Sequence, residues 1–314
     1  MEVVSCDLCG SSDYREVYRM PDILFHPDEW FSVVECAQCG LGFVNPRPTR
    51  QEIGKYYPDA FFDFFDEAWH QARYRREAEY LADLSRPGAR LLDIGCANGD
   101  FPRLMRERGW DVTGVEIGEQ ARKIDDFVVH RCEFPDAPLP ESHFDAVTAW
   151  AVMEHVHQPS RYFRRAAQVL RPGGRFVFLV PNFASWGSRF LYREDLPRHL
   201  HFFTEETVKR YLDSVGLRLL GAEYTNAIYE MRPVNWLRCA WYRHVLNRHL
   251  PWTELPERPA AYFERIGRSD LTAKLAYVLG NPLTVIDRLL MPLFETFGPK
   301  RLTHGVVVYS AEKT

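Results

Sequence analysis

The sequence feature that most constrains the fold is a short apolar run followed directly by a turn of small residues. The run Leu91–Ile94 is apolar except for Asp93, and the stretch Gly95–Gly99 reads Gly-Cys-Ala-Asn-Gly. A turn without bulky side chains lets the backbone approach a bound ligand closely. A helical pattern begins soon after it. The sequence therefore predicts a strand, a tight ligand-binding turn and a helix in succession.

Strand and helix patterns alternate around this turn and predict an α/β domain over residues 87–314. The helical patterns cover Phe101–Arg108, Tyr162–Leu170 and Glu205–Ser214. The strand-like runs are Arg90–Ile94, Asp111–Val115, Phe127–His130, Phe144–Ala149, Arg175–Val180, Leu217–Tyr224 and Val306–Tyr309. Strands separated by helix-length segments favour a parallel, doubly wound sheet. The segment of about residues 226–303 is too long for a structureless loop, so it is predicted to form a helical insert before the last strand.

Four of the seven cysteines form two CxxC pairs, each followed by glycine. The pairs are Cys6 with Cys9 and Cys36 with Cys39. Two such turns aim four thiolates at one ion, which is typical of a tetrahedral zinc site without an open position for catalytic water. Residues 1–50 are therefore predicted to form a zinc ribbon-like module with a structural Zn²⁺. Residues 51–86, with an aromatic-rich start, are predicted to form a helical cover.

Composition argues against two other classes of protein. A formal charge of −4 provides no overall basic field for a nucleic-acid backbone, so nucleic acid is not an expected partner. The first residues lack the pattern of a signal peptide, and no window is long and apolar enough to span a membrane. Together with the paired cysteines, this predicts a cytoplasmic protein. Trp and Arg residues on amphipathic helices of the insert leave peripheral contact with the inner face of the membrane open.

The order of the motifs resembles the class I S-adenosylmethionine (SAM) methyltransferases. The pattern D-x-G-x-x-x-G at Asp93–Gly99 is followed by an acid at the end of the next strand, by Cys132-Glu133-Phe134, by Val152–Val156 and by Leu170–Gly174. NAD would instead require a third glycine inside the helix, which the chain lacks. The resemblance implies a Rossmann-like seven-stranded methyltransferase sheet and SAM as cofactor. The cofactor-binding residues it implies are Asp93, Gly95, Cys96, Ala97, Gly99, Glu116, Glu133, Phe134 and Trp150.

Each implied residue has an expected role. Glu116 would accept hydrogen bonds from the ribose hydroxyls, and Glu133 with the Phe134 N–H would contact adenine. Cys96 would form part of the pocket wall. Ala97 departs from the resemblance because it stands where these enzymes usually have a second glycine, which tightens the pocket by one methyl group.

Two histidines and one tyrosine are the candidates for catalysis. Methyl transfer requires alignment of the acceptor and, for some acceptors, a base near neutral pKa, which suits histidine. His155 follows the fourth strand, where shaping the SAM pocket is the alternative role. His199 begins a run similar to the H-x-x-Y-F stretch of zinc-containing sugar C-methyltransferases and corresponds to their base-like histidine, although Arg198 replaces their preceding Glu. Tyr57 is expected to cover the SAM site.

The acceptor and the assembly stay open at this stage. The resemblance implies a small-molecule acceptor that is sugar-like, lipid-linked or a natural-product intermediate, with methylation at oxygen or carbon. The alternatives are a zinc-ribbon module that binds RNA or protein, and an RNA or protein methyltransferase on the same fold. The insert suits an acceptor lid, a membrane-surface element or a homodimer contact.

Overall fold

The structure is a computed structural model that describes residues 1–22, 24–58, 67–191, 195–228, 236–246 and 282–314. The strands are β1 (Tyr14–Pro21), β2 (Trp30–Cys36), β3 (Gly42–Val44), β4 (Arg90–Ile94), β5 (Asp111–Val115), β6 (Val128–His130), β7 (Phe144–Trp150), β8 (Leu170–Pro181), β9 (His201–Phe202), β10 (Leu217–Thr225) and β11 (Val306–Lys313). The helices are α1 (Glu67–Glu79), α2 (Asp100–Glu107), α3 (Pro159–Val169), α4 (Glu205–Ser214), α5 (Trp236–Ala240), α6 (Pro282–Phe297) and α7 (Lys300–Thr303).

Seven strands form the main sheet in the order β10-β11-β8-β7-β4-β5-β6, which confirms the predicted seven-stranded α/β fold. The strands from β8 to β6 pair in parallel, and the strand order reverses between β4 and β7. Ligands of doubly wound sheets bind at such a reversal, beyond the carboxyl ends of the strands. The turn after β4 lies at this edge.

Strand β11 is the exception to the parallel pairing, because it is antiparallel to both of its neighbours. The last residue of β10, Thr225, pairs with the first residue of β11, Val306, which also pairs with Pro181 at the end of β8. The chain therefore leaves the sheet after β10 and re-enters it at β11 at the carboxyl ends of the parallel strands, so no crossover is needed. The insert between these strands starts and ends at the edge where the ligand-binding turn lies.

A second sheet joins the N-terminal residues to the rest of the chain. Its order is β1-β2-β3-β9, all antiparallel, and β9 comes from the segment after β8. Cys6, Cys36 and Phe43 also belong to the same buried cluster as Phe163 of α3 and Tyr211 of α4. The four-cysteine part of the chain thus shares a sheet and a core with the part that carries the motifs resembling those of SAM methyltransferases.

The cover and the insert are described in part. A 3₁₀ turn at Ile53–Tyr56, α1 and a 3₁₀ turn at Ala82–Leu84 lie in the cover, whereas the aromatic residues predicted at 61–65 lie outside the described residues. The described insert contains α5, α6 and α7, and α6 exposes large apolar side chains such as Leu289 and Phe297. Within the described ranges, no helix has the length and apolar character needed to cross a lipid bilayer.

Candidate active site and metal centre

The turn after β4 has a backbone that requires glycine. Gly95 adopts a φ of +72°, and a Cβ there would lie 2.6 Å from a methyl carbon of Val152. The N–H groups of Gly95 and Cys96 both donate to the carbonyl oxygen of Val115 on β5, at 2.8 and 3.2 Å. Gly99, with a φ of +87°, begins α2. The turn is therefore pinned to the neighbouring strand and leads its backbone into a helix N-terminus.

Glu116 braces this turn from the end of β5. One carboxylate oxygen accepts a hydrogen bond from the Ala97 N–H at 3.0 Å, and the other accepts from the Gly118 N–H at 2.7 Å. Ala97 has a φ of +49°, a left-handed conformation that is unfavourable for alanine and that this hydrogen bond helps to hold. Each carboxylate oxygen keeps a further lone pair for a ribose hydroxyl.

Asp93 is buried beneath the turn at 3% exposure and accepts a 2.6 Å hydrogen bond from the Thr148 hydroxyl. Burial raises the pKa of Asp93 to about 8, although the Thr148 hydrogen bond opposes the change, and the charge of Glu77 adds to it. Burial therefore favours the protonated, neutral form of this side chain.

Sequence reasoning missed a buried ion pair on α1 that acts on this site. Arg73 Nε lies 2.9 Å from an oxygen of Glu77, whose side chain has no exposure, and burial raises the pKa of Glu77 to about 7. The charge of Glu77 raises the pKa of Asp93, and the charge of Arg73 lowers it. The i, i+4 spacing of Arg and Glu was the available signal, but this spacing is common on exposed helix faces.

Two implied pocket residues are packed into the interior. Cys96 is buried against Ala121 and Ile124, where burial raises the pKa of its thiol. Trp150, at the end of β7, is 7% exposed and meets the ring of Phe101 edge to face at 5.7 Å between centroids. These contacts fix the walls on either side of the turn. A direct contact of either side chain with SAM stays a prediction.

The implied adenine contacts follow β6. Glu133 forms an ion pair with Arg50, so its carboxylate already has a cationic partner from the end of the N-terminal segment. Phe134 is buried, and its ring centroid lies 5.7 Å from that of Tyr162 on α3. The adenine role of these residues stays a prediction.

The three predicted catalytic residues lie together beyond β7. His155 Nδ1 lies 3.0 Å from the Tyr57 Oη, and the His155 and His199 ring centroids are 4.9 Å apart. Burial, and then the charge of His199, lowers the pKa of His155 to about 3. Burial raises the pKa of Tyr57 far above its usual value. The fold thus brings together groups that are 98 and 44 positions apart along the chain, and their catalytic role stays a prediction.

Glu154 completes this cluster and was not singled out from the sequence, although it directly precedes His155. Its side chain is 1% exposed, and one carboxylate oxygen lies 4.0 Å from His155 Nε2. Its carbonyl oxygen accepts the N–H groups of Leu200 and His201 at 2.7 and 3.1 Å. One ligand atom each from Glu154, His155 and His199 lies within 4.8 Å of the others.

Arg198, which stands where the sugar C-methyltransferases have Glu, fixes the His199 segment to the N-terminal part of the chain. Its fully buried guanidinium lies 2.9 Å from an oxygen of Asp22 and donates to Asp195 at 2.7 Å and to the Tyr56 carbonyl at 3.0 Å. Burial disfavours its charge, but Asp195 and Asp22 outweigh burial and raise its pKa. Arg198 therefore has a positioning role.

The four predicted metal-ligating cysteines converge on one point. The Sγ atoms of Cys6 and Cys39 are 3.4 Å apart, and those of Cys9 and Cys36 are 3.5 Å apart. Sulfur atoms around a tetrahedral Zn²⁺ with bonds of ~2.3 Å are about 3.8 Å apart. All four sulfurs lie within 4.8 Å of one another, so the cluster fits a zinc ion after a small expansion.

The two cysteine turns have the same backbone geometry. Gly10 donates to the Cys6 carbonyl at 2.8 Å, and Gly40 donates to the Cys36 carbonyl at 3.0 Å, with φ values of +76° and +77°. Burial opposes ionisation of Cys36, but backbone N–H groups that point at its sulfur outweigh burial and lower its pKa to about 7. Burial has the opposite effect on Cys6 and Cys39 and raises the pKa of both thiols. The two turns therefore present their sulfurs with the same backbone geometry, and among these three thiols the turn outweighs burial at Cys36.

Asp7, inside the first cysteine turn, connects the metal centre to the large domain. Its carboxylate accepts hydrogen bonds from the Ser160 N–H at 2.8 Å, the Ser160 hydroxyl at 2.9 Å and the Tyr211 hydroxyl at 2.9 Å. Ser160 lies in the first turn of α3, whose own N-cap residue, Gln158, makes no side-chain capping bond. Asp7 thus caps α3 from another part of the chain.

Comparisons with known proteins agree with this geometry. A family profile described as a methyltransferase domain matches residues 67–221. The 27-O-demethylrifamycin SV methyltransferase of Amycolatopsis mediterranei is 37% identical over 174 residues, which cover 43% of this chain and 62% of that protein. The ubiquinone biosynthesis O-methyltransferase of Aromatoleum aromaticum is 32% identical over 163 residues, which cover 44% of this chain and 68% of that protein.

The chain therefore spans about two thirds of the length of these curated relatives. Among solved structures, a SAM-dependent methyltransferase from Archaeoglobus fulgidus has a TM-score of 0.51 at 19% identity, and the match covers 81% of this chain and 100% of that one. At this identity the likeness concerns the fold alone.

Proposed function

Because the chain belongs to the class I SAM-dependent methyltransferases, we propose that it transfers a methyl group from SAM to a hydroxyl oxygen of a small-molecule acceptor. The observation that carries the proposal is the cluster of the buried Glu154 with the half-buried His155 and His199, beyond β7. Both curated relatives described above are named for methylation, one explicitly as an O-methyltransferase, which supports oxygen as the atom methylated.

The residues around the turn fit SAM. Gly95, with its positive φ and close contact with Val152, shapes the turn, Glu116 would hold the ribose hydroxyls, and Asp93 would support the turn from below. When bound, SAM supplies an electrophilic methyl group on a sulfonium, whose sulfur keeps the bonding electron pair on transfer.

The acceptor side is served by the histidine cluster. The hydroxyl proton would pass to the imidazole of His199, and the freed oxygen lone pair would form the new bond to carbon. The nearby carboxylate of Glu154 would stabilise the imidazolium that results. His155, which burial keeps neutral, would position the acceptor together with Tyr57 rather than take its proton.

Methylation at carbon of a sugar-like acceptor is a second candidate. The run from His199 to Thr204 is similar to the corresponding stretch of the sugar C-methyltransferases and supports it. Arg198 weighs against it, because a buried arginine bonded to Asp22 replaces the acid that precedes the histidine in those enzymes. We infer that the four cysteines hold a structural zinc ion in either case.

The test follows a labelled methyl group from SAM into a panel of hydroxylated small molecules and into host-cell extract, which is then separated into organic and aqueous phases. Label in the organic phase favours a lipid-linked or hydrophobic acceptor, and label in the aqueous phase favours a sugar-like one. Cleavage of the labelled product by hydriodic acid identifies an O-methyl group. A protein that binds SAM and labels no small molecule, but labels RNA or protein, would contradict the proposal.

Variants test the role of the histidine. His199→Ala should lower kcat by roughly 10²–10⁴-fold if it is the base, with unchanged SAM affinity. His130→Gln, at the end of β6, is the control because His130 is not one of the clustered residues. A loss of only a few fold in His199→Ala would reduce this residue to a positioning role.

A further inference from the structure

One carboxylate and two imidazoles converge at the acceptor side with the spacing of metal ligands. The ligand atoms of Glu154, His155 and His199 lie within 4.8 Å of one another, whereas the four-cysteine cluster uses a separate set of residues. We infer that these three residues form a second metal site, which takes a divalent transition-metal ion and is distinct from the zinc site of the cysteines. The inference rests on the proposed function in one respect only, namely that the open coordination position of the ion would face the acceptor.

The hydrogen-bond partners of His155 suit the tautomer that such a site requires. Its Nδ1 lies 3.0 Å from the carbonyl oxygen of Arg198, which can only accept a hydrogen bond, and 3.0 Å from the Tyr57 hydroxyl, which can also accept one, so a hydrogen on Nδ1 is compatible with both partners. In that tautomer Nε2 keeps its lone pair, and this atom lies on the side of Glu154, 4.0 Å from its carboxylate. A metal-ligating histidine commonly donates its other ring N–H to a backbone carbonyl in this way.

Burial and backbone bonds hold the other two ligands in place. The side chain of Glu154 is 1% exposed, and a carboxylate in such a position needs a cation or hydrogen-bond donors. The Glu154 carbonyl accepts the N–H groups of Leu200 and His201, so the backbone next to His199 is tied to the loop that carries the other two ligands. The geometry is thus set by main-chain bonds between two loops.

The donor set indicates the kind of ion. Two imidazoles and one carboxylate suit Zn²⁺, Fe²⁺, Co²⁺ or Mn²⁺, and three protein ligands leave at least one open position. Adjacent ligand atoms of such an ion are about 3.0–3.5 Å apart at bond lengths of ~2.1 Å. The 4.0 Å between Glu154 and His155 therefore has to shorten by less than about 1 Å.

A cation and a proton compete for the same imidazole lone pairs. In the metal-free protein His199 accepts the proton of the acceptor hydroxyl, as proposed above. With a divalent ion held by Glu154, His155 and His199, the ion would act as a Lewis acid that lowers the pKa of an acceptor hydroxyl at its open position.

The experiment titrates Mn²⁺ into the purified full-length protein, with zinc left in the cysteine site, and follows free Mn²⁺ by its electron paramagnetic resonance signal. Thiolates do not favour Mn²⁺, so the cysteine site does not contribute. We expect one Mn²⁺ per chain. Glu154→Gln and His199→Ala should each raise the Kd at least about tenfold, whereas His130→Gln should not change it. Retained affinity for SAM shows that a variant is folded.

A second measurement needs no variant. Bound Mn²⁺ should slow the modification of His155 and His199 by diethylpyrocarbonate in the unsubstituted protein, with His130 as the internal reference. Mn²⁺ that binds and protects both histidines in a protein without methyl transfer would support the site and reject the proposed function. Methyl transfer in a protein that leaves the Mn²⁺ signal undiminished, or equal Kd values in all variants, would overturn the site and leave the function intact.

Discussion

Substitution of Asp7 tests whether the cysteine centre stabilises the large domain. This carboxylate accepts three hydrogen bonds, two from Ser160 and one from the Tyr211 hydroxyl, and it lies between the metal ligands Cys6 and Cys9. In Asp7→Ala the three donors lose their acceptor. Because a zinc ion held by the four cysteines would fix the turn that carries Asp7, we expect the effect on the free energy of unfolding to depend on whether zinc is present.

The expected magnitude follows from the state of the donors. Tyr211 is 1% exposed, so its hydroxyl loses a partner that water cannot replace, at about 1–3 kcal/mol. The Ser160 N–H lies at the N-terminus of α3, where loss of a cap costs about 1 kcal/mol. The hydroxyl of Ser160 can turn to solvent, and such terms do not add fully. We expect Asp7→Ala to lower the free energy of unfolding by about 3 kcal/mol in the zinc-loaded protein.

The assay is urea unfolding of the wild type and Asp7→Ala, each with zinc and after removal of zinc by a chelator. The cost should fall below about 1 kcal/mol without zinc, because the released turn no longer holds the carboxylate against Ser160 and Tyr211. Asp13→Ala, an exposed residue, should stay within about 0.5 kcal/mol of the wild type. An equal cost of Asp7→Ala with and without zinc would show that the metal does not position this carboxylate.

Two further predictions concern the SAM site. Glu116→Ala should weaken SAM binding by roughly 1–3 kcal/mol, because the ribose loses its acceptor and the turn loses the hydrogen bond at the Ala97 N–H. Calorimetry measures this affinity, and the variant of the exposed Glu119, Glu119→Ala, should match the wild type. An unchanged affinity in Glu116→Ala would reject the ribose role. The second prediction concerns pH. Asp93 has a pKa of about 8 in the folded protein, above its usual 3.8. Its contribution to the free energy of unfolding of the SAM-free protein should therefore be fully present below about pH 4 and should be lost as the pH rises to about 8. Glu77, with a raised pKa of about 7, adds a change of the same sign. Urea unfolding at pH 5 and pH 8 should show a smaller fall in Asp93→Asn, and an equal fall in both proteins would contradict the assignment.

The parts of the fold that the sequence predicts are those with a local pattern. β4 and β5 begin and end where the apolar runs do, because a short buried strand bounded by charged or small residues has few alternatives. The two-residue strand β9 has no such pattern, since its existence depends on its pairing with β3. The direction of β11 is equally non-local, because it follows from the edge at which the insert returns to the sheet.

The candidate site divides in the same way. Cys6, Gly95 and Glu116 could be singled out as candidates because the spacing of their motifs along the chain predicts their chemistry. The roles of Arg73 and Arg198 could not, since an arginine reads as a surface residue until the fold supplies its buried carboxylate partner. Glu154 was equally hidden, because its importance comes from a histidine 45 positions later in the chain.

The binding-only alternative for the cysteine module weakens once the contacts of the module are considered. A module that binds RNA or protein needs an exposed surface for its partner. Here β3 pairs with β9 and Asp7 caps α3, so these parts of the module are used in contacts within the chain. The buried Asp22 of the module holds Arg198, whose chain neighbour is His199. Tyr57, which follows the module in the predicted cover, contacts His155. The module therefore positions the segment that carries one of the two candidate catalytic histidines. A chain with a degenerate SAM site would have no reason to keep a four-cysteine unit bonded to this segment, so we propose that the cysteine centre is part of the architecture that holds the acceptor.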